Sequence, residues 1–277
     1  MKDVDTCAAF ETWKAGTRLF PIMSQRDFDT AIRQFEAALA LDPDFARAYG
    51  WLAYCYITGL VDAWTLRKPV GSPTPKDIQA EAKRLAKLAI SLDPCDFDTH
   101  WAMGFVLLHT GNAAGARRHF VTARQLNFGN RELLVENADE RVYAGDHNKA
   151  IELIMRARSI PDWQRWVLAW AYYFKARKDP IFYDMALCEL QKMKDPAGRG
   201  KAPAEILILL AAIHGQKSKL SRKQAAADCR REANRCRMAY ERLRRKKRPL
   251  KDLEATNPFT KDKDRDHWRS GLKAAGF

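Results

Sequence analysis

The chain has no phosphate loop of the form G-x-x-x-x-G-K-[ST], no H-E-x-x-H and no G-x-S-x-G elbow. Each of those motifs holds phosphate donors, metal ligands or a nucleophile at a spacing the chemistry requires. Their absence argues against nucleotide-driven, zinc-protease and serine-hydrolase activity. The six histidines fall singly along the sequence, so neither an enzyme nor a bound cofactor is expected. Long apolar runs are also lacking. The longest, "ILILLAAI" at 206–213, is far short of the roughly 20 residues that span a bilayer, and no membrane association is expected. The amino-terminal "MKDVDTCAAF" carries Asp3 and Asp5 and no apolar stretch, unlike a targeting segment. The cysteines at 7, 55, 95, 188, 229 and 236 include no C-x-x-C pair. Several fall on apolar helix faces, which suits free thiols in a reducing, cytoplasmic setting.

One stretch comes close to a metal motif. "CDFDTH" at 95–100 gathers a cysteine, two aspartates and a histidine, residue types that zinc favours. It lies between two helical segments, however, where Asp96 or Asp98 reads as an N-cap. No second ligand pair accompanies it, so no metal is expected.

What the sequence does have is a repeat. In "AIRQFEAALALDP", Ala31, Phe35 and Ala38 share one helical face and Pro43 ends the segment. Ala82, Ala86, Ala89 and Pro94 stand at the same offsets, as do Ala116, Phe120, Ala123 and Phe128. Ala150, Ile154 and Ala157 follow, with Pro161 one place early. Ala82, Ala116 and Ala150 are 34 residues apart, and the step from Ala31 to Ala82 is 51. A period in this range marks stacked helix pairs, and small residues on the recurring face let helices approach closely. The partner helices keep the register: Tyr49, Leu52, Ala53 and Tyr56 correspond to His100, Met103, Gly104 and Leu107, then to Leu134, Asn137, Ala138 and Arg141. Gly111 and Gly145 each precede a repeat alanine by five residues, at turns that need positive φ.

In these small-residue, glycine and Asp-Pro positions the sequence resembles the tetratricopeptide repeat (TPR) family. The resemblance implies an all-α fold, a right-handed superhelical solenoid of about five to six TPR-like helix pairs. The spacing predicts helices at 7–20, 27–41, 46–58, 77–92, 97–110, 113–127, 131–144 and 147–159, and a fifth pair from Trp163 to Lys194. A sixth begins at Pro203 and continues from Ser221. The expected organisation is a solenoid over 7–216, interrupted by a Pro- and Gly-containing insertion at 58–77, and a basic helical capping segment over 217–277. The closing stretch "NPFTKDKDRDHWRSGLKAAGF" narrows the resemblance. It looks like the end of the repeat half of bacterial class III adenylate cyclases and of winged-helix transcriptional activators. Neither output domain precedes residue 10, so only a sensing or binding half is implied.

Charge is distributed unevenly. The net +14 divides into +2 over the first 200 residues and +12 over 201–277. Ala226, Cys229, Ala233, Cys236, Tyr240 and Leu243 form an apolar seam at alternating spacings of three and four. The seam reads as a capping helix docked on 206–213 with a solvated outer face. The patch Arg242, Arg244, Arg245, Lys246, Lys247 and Arg248 is dense enough to neutralise phosphates. Binding of nucleic acid there is the alternative function.

In TPR arrays the first helix of each pair lines a concave groove that takes a protein or peptide ligand. Carried over by register, the groove positions are Tyr54, Trp101, Phe105, Asp139, Tyr143, Trp163, Trp166, Trp170 and Tyr173. Leu168, Ala169 and Tyr172 already hold the packing positions of their repeat, which leaves the stripe from Trp163 to Tyr173 either as spare anchors for a peptide or as ordinary core. The Lys and Asn carboxylate clamp of chaperone-type TPR proteins is missing from these positions, so a C-terminal carboxylate is not the expected ligand.

Overall fold

The computed structural model describes residues 2–19, 25–61, 74–157, 165–193, 204–244, 250, 253 and 259–277. Among them are thirteen helices and no strand: α1 (Lys2–Thr17), α2 (Gln25–Leu41), α3 (Ala46–Val61), α4 (Pro75–Leu92), α5 (Phe97–His109), α6 (Ala113–Leu126), α7 (Glu132–Tyr143), α8 (His147–Arg156), α9 (Arg165–Lys175), α10 (Ile181–Lys192), α11 (Ala204–Leu220), α12 (Lys223–Arg244) and α13 (Asp262–Ala274). The helices pack in sequential pairs, as in α1 with α2, α3 with α4, α5 with α6, α9 with α10 and α11 with α12.

The 34-residue register accounts for the pairing. Ala31, Phe35, Ala38, Ala82, Ala86, Ala89, Ala116, Phe120, Ala123, Ala150, Ile154 and Ala157 are all buried. Close approach is real at Gly104, where a Cβ would stand 2.6 Å from Cε1 of Phe120. Gly16 meets Cε1 of Phe35 at the same 2.6 Å, so α1 is the first helix of a pair like α5. It starts at Lys2, earlier than the expected residue 7. Gly111 and Gly145 do take positive φ, 88° and 79°. Helix α4 starts two residues before its expected start, because Thr74 and Asp77 form a reciprocal capping box with Pro75 at the first turn. Residues 62–73 of the insertion lie outside the described residues.

The chain divides into two compact units, 1–133 and 134–277; residues 216 and 217, the expected junction of solenoid and capping segment, both lie within α11. In unit 1 the first helices α3 and α5 pack side by side, each flanked by its partner. In unit 2, α9 is buried along its whole length from Val167 to Phe174. It packs on α8, α10 and α11, while α11 carries both α12 and α13. Ala233 and Cys236 of the α12 seam close a small core with Ala211 and Ala275.

Candidate functional site

The first-helix face of unit 1 is a ladder of rings. Tyr54 of α3 stacks on Phe105 of α5 with centroids 3.9 Å apart, and Phe105 in turn lies 4.4 Å from His109. Trp51 meets Trp101 edge-on at 5.6 Å and Tyr54 at 5.5 Å. Residues three apart on α3 and four apart on α5 return to the same side of each helix, which is how two adjacent helices build one aromatic surface. Trp51 and Tyr54 are half-buried, whereas Trp101 and Phe105 are 6% and 9% exposed. The indole N–H of Trp101 finds no acceptor among the described residues, as is also true of Trp13 and Trp268. Burial pushes His109 down to about 4, so its ring is neutral at ordinary pH and belongs to the apolar surface. Beside the ladder, Arg47 reaches Asp96 at 2.6 Å and Asp98 at 3.6 Å, with its guanidinium over the Trp13 ring.

Those contacts also settle what "CDFDTH" does. Asp96 accepts from the backbone N–H groups of Asp98 and Thr99 and so caps α5. Its second oxygen is taken by Arg47. His100, which reads as solitary in the sequence, is not: its Nδ1 lies 3.0 Å from Nδ1 of His119, and its Nε2 faces the carbonyl of Pro94. No group of three His, Cys, Asp or Glu residues fit for a metal occurs among the described residues.

Of the two alternatives for Trp170 and Tyr173, spare anchors or core, the packing in unit 2 is that of core. They are 4% and 0% exposed, because the chain's own segment 259–277 covers them. Trp268 of α13 packs edge-on against Trp170 at 4.7 Å. Phe259 sits among Tyr143 (5.2 Å), Trp170 (5.3 Å) and Phe174 (4.8 Å). Tyr173 donates its hydroxyl hydrogen to the carbonyl of His267, and burial raises that hydroxyl well above its ordinary pKa. Trp101, Phe105, Asp139 and Tyr143 are likewise buried rather than open; of the described groove candidates only Tyr54 and Trp166 are half-buried. Trp163 lies outside the described residues.

The sequence reading missed the residues that bind the tail. Asp264 is wholly buried, with Arg177 Nη2 at 2.9 Å and His147 Nε2 at 3.2 Å. Its helix holds three aspartates, Asp262, Asp264 and Asp266, among four lysines and arginines, so nothing in the sequence singled out Asp264. On α12, Arg231, Arg235 and Arg237 pair with Asp228, Glu232 and Glu241 of the same helix. Arg242 is exposed and Arg244 is the last residue of α12. Arg245, Lys246, Lys247 and Arg248 lie outside the described residues.

This arrangement of helix pairs is that of a TPR solenoid. Residues 23–59 match the tetratricopeptide repeat family model, which spans α2 and α3. Two solved structures share the fold. A thermophilic TPR protein of Thermus thermophilus, TTC0263, is 18% identical over 69% of this chain and 93% of its own, with a TM-score of 0.51. PilF of Pseudomonas aeruginosa is 16% identical over 89% of this chain and 99% of its own, also at 0.51. No curated protein sequence matches the chain. No helix among the described residues is long and apolar enough to cross a membrane.

Proposed function

We propose that the chain is a binding module rather than an enzyme, and that it takes a protein or peptide segment on the first-helix face of unit 1. The observation that carries this reading is the aromatic ladder, with Trp51 and Tyr54 half open at its edge. Tryptophan and tyrosine supply large contact area at small entropic cost, which is why they dominate binding hot spots. Selection of peptides from a displayed library tests it. Wild type should enrich a consensus that Tyr54→Ala loses, and Trp101→Phe, which keeps an aromatic ring but removes the N–H and part of the indole's area, should weaken. Enrichment unchanged in both variants would move the site off this face.

The narrower resemblance, to the repeat halves of class III cyclases and winged-helix activators, is supported by the closing residues 257–277 and fits a sensing role for such a module. The alternative, nucleic-acid binding, is supported by the density of cations at 242–248. The internal pairing of the α12 arginines leaves less free charge than composition implies, so the peptide reading is preferred.

A further inference from the structure

We propose that the face of unit 2 formed by α7, α9 and α11 is a receptor for an amphipathic helix, and that segment 259–277 is its resident ligand. The inference rests on the reading of first-helix faces as peptide-receiving. It adds the chemistry of the ligand.

The segment is bound the way an independent peptide is bound, through separate subsites on distant parts of the chain. Phe259 enters a cup of Tyr143, Trp170 and Phe174. The next residue makes a main-chain bond, Thr260 N–H to the carbonyl of Tyr143 at 2.9 Å. Four residues on, the wholly buried Asp264 meets the guanidinium of Arg177 and the imidazole of His147. One helical turn later Trp268 covers Trp170. The carbonyl of His267 accepts from both Tyr173 and Gln216, so the receptor reads backbone as well as side chains. Receptor and ligand also fit in shape. A Cβ on Gly271 would stand 2.4 Å from the Tyr173 hydroxyl, and one on Gly215 2.6 Å from the carbonyl of Gly271. Gly145, at positive φ, makes room for Lys261 and Asp264 in the same way.

The outer face of α13 is polar, with Lys261, Lys263, Arg265, Asp266 and Lys273 exposed. Its inner face carries the acid and the apolar residues. The recognised pattern is therefore an aromatic in the lead-in to the helix, an acid five residues on, and a tryptophan four after that, the last two on the inner face of α13. A partner helix with this pattern meets the same subsites, but it competes with a tethered ligand whose effective concentration is of order millimolar. The site is closed while the tether is intact.

The test uses the whole chain with a protease site placed between Arg245 and Leu250. After cleavage, with both pieces still together, a fluorescent peptide of residues 257–277 is added in excess and its uptake followed by anisotropy. The expected result is one peptide per nicked chain, and uptake at least tenfold weaker by the uncut chain. Peptides with Asp264→Asn or Trp268→Ala should bind at least tenfold more weakly than the parent. Three results would overturn the proposal: a nicked protein that melts normally but never exchanges its tail, equal uptake of parent and altered peptides, or a nicked protein that unfolds and is not restored by excess peptide. Tyr54→Ala in the nicked chain should leave this uptake unchanged. Loss of library binding by that variant and loss of tail exchange are therefore separate failures.

Discussion

The two units present the same register positions and use them differently. In unit 1 the rings of α3 and α5 stack on one another, and Trp51 and Tyr54 keep part of their surface open. In unit 2 the corresponding rings of α7 and α9 are roofed by a segment from the end of the chain. A repeat position thus defines a face without defining its fate. Whether an aromatic there is an anchor or a core residue depends on whether something later in the chain comes back to cover it.

The sharpest way to break that contrast is to truncate one ring on each face. Trp170→Ala should cost about 3–5 kcal/mol, the usual range for a buried tryptophan, whereas Tyr54→Ala should cost roughly 1–2 kcal/mol, since a half-open ring buries less area. Urea melts of the two variants compare the effects directly, and equal losses would erase the distinction. Asp264→Ala should come close to Trp170→Ala at about 3–5 kcal/mol, because it strands Arg177 beside a buried gap.

Acid should act most strongly through His109 in unit 1 and His267 in unit 2, the histidines held furthest down. Burial holds His109 and His267 down to about 4, while the unfolded chain takes up the same protons near 6.5. The folded state therefore binds fewer protons in this window. Stability is whole above about pH 6.5 and falls as pH drops toward 4, by up to about 3 kcal/mol per site. Melting midpoints across that window should flatten in part with His267→Gln and in part with His109→Gln. A profile unchanged by either substitution would show that these rings are not the source.

Much of the fold was legible because the repeat signal is local. The alanine positions from Ala31 to Ala157 are buried as the 34-residue period requires. The start of α1 was missed for a physical reason: Gly16 lies 19 residues before Phe35, whereas Gly104 lies 16 before Phe120, so the first connection runs three residues longer and hides the match. The candidate site was less legible. Nothing within the repeat containing Trp170 and Tyr173 shows that they are covered, since the covering residues lie some 90 positions later; Tyr173 and His267 are 94 apart. Non-local closure of this kind leaves no periodic trace.

Two smaller effects sharpen the comparison further. If the 242–248 patch binds nucleic acid, log affinity should fall linearly with log salt, and changing Arg244, Arg245, Lys246 and Lys247 to Ser should reduce the slope by roughly 3–4. No binding at low salt would leave α12 with its packing role alone. The smallest effect is expected at the insertion. Replacing 62–73 with a short Gly/Ser turn keeps Val61 and the Thr74 cap, and should change stability by less than about 1 kcal/mol, since closure entropy varies slowly with loop length. A collapse of cooperative melting would show that those residues pack as structure.

The long return of the tail sets a timetable for synthesis. Thr260 bonds to Tyr143 across 117 positions, so the interior of unit 2 cannot close until nearly every residue between them has left the ribosome. Unit 1 has no such debt and can fold as its own helices emerge. For that interval Trp170, Tyr173 and Phe174 lack the cover that residues 259–277 give them. Loss of residues 259–277 would make that transient surface permanent. Chaperones and proteases would then read the missing tail as a mark of an unfinished molecule.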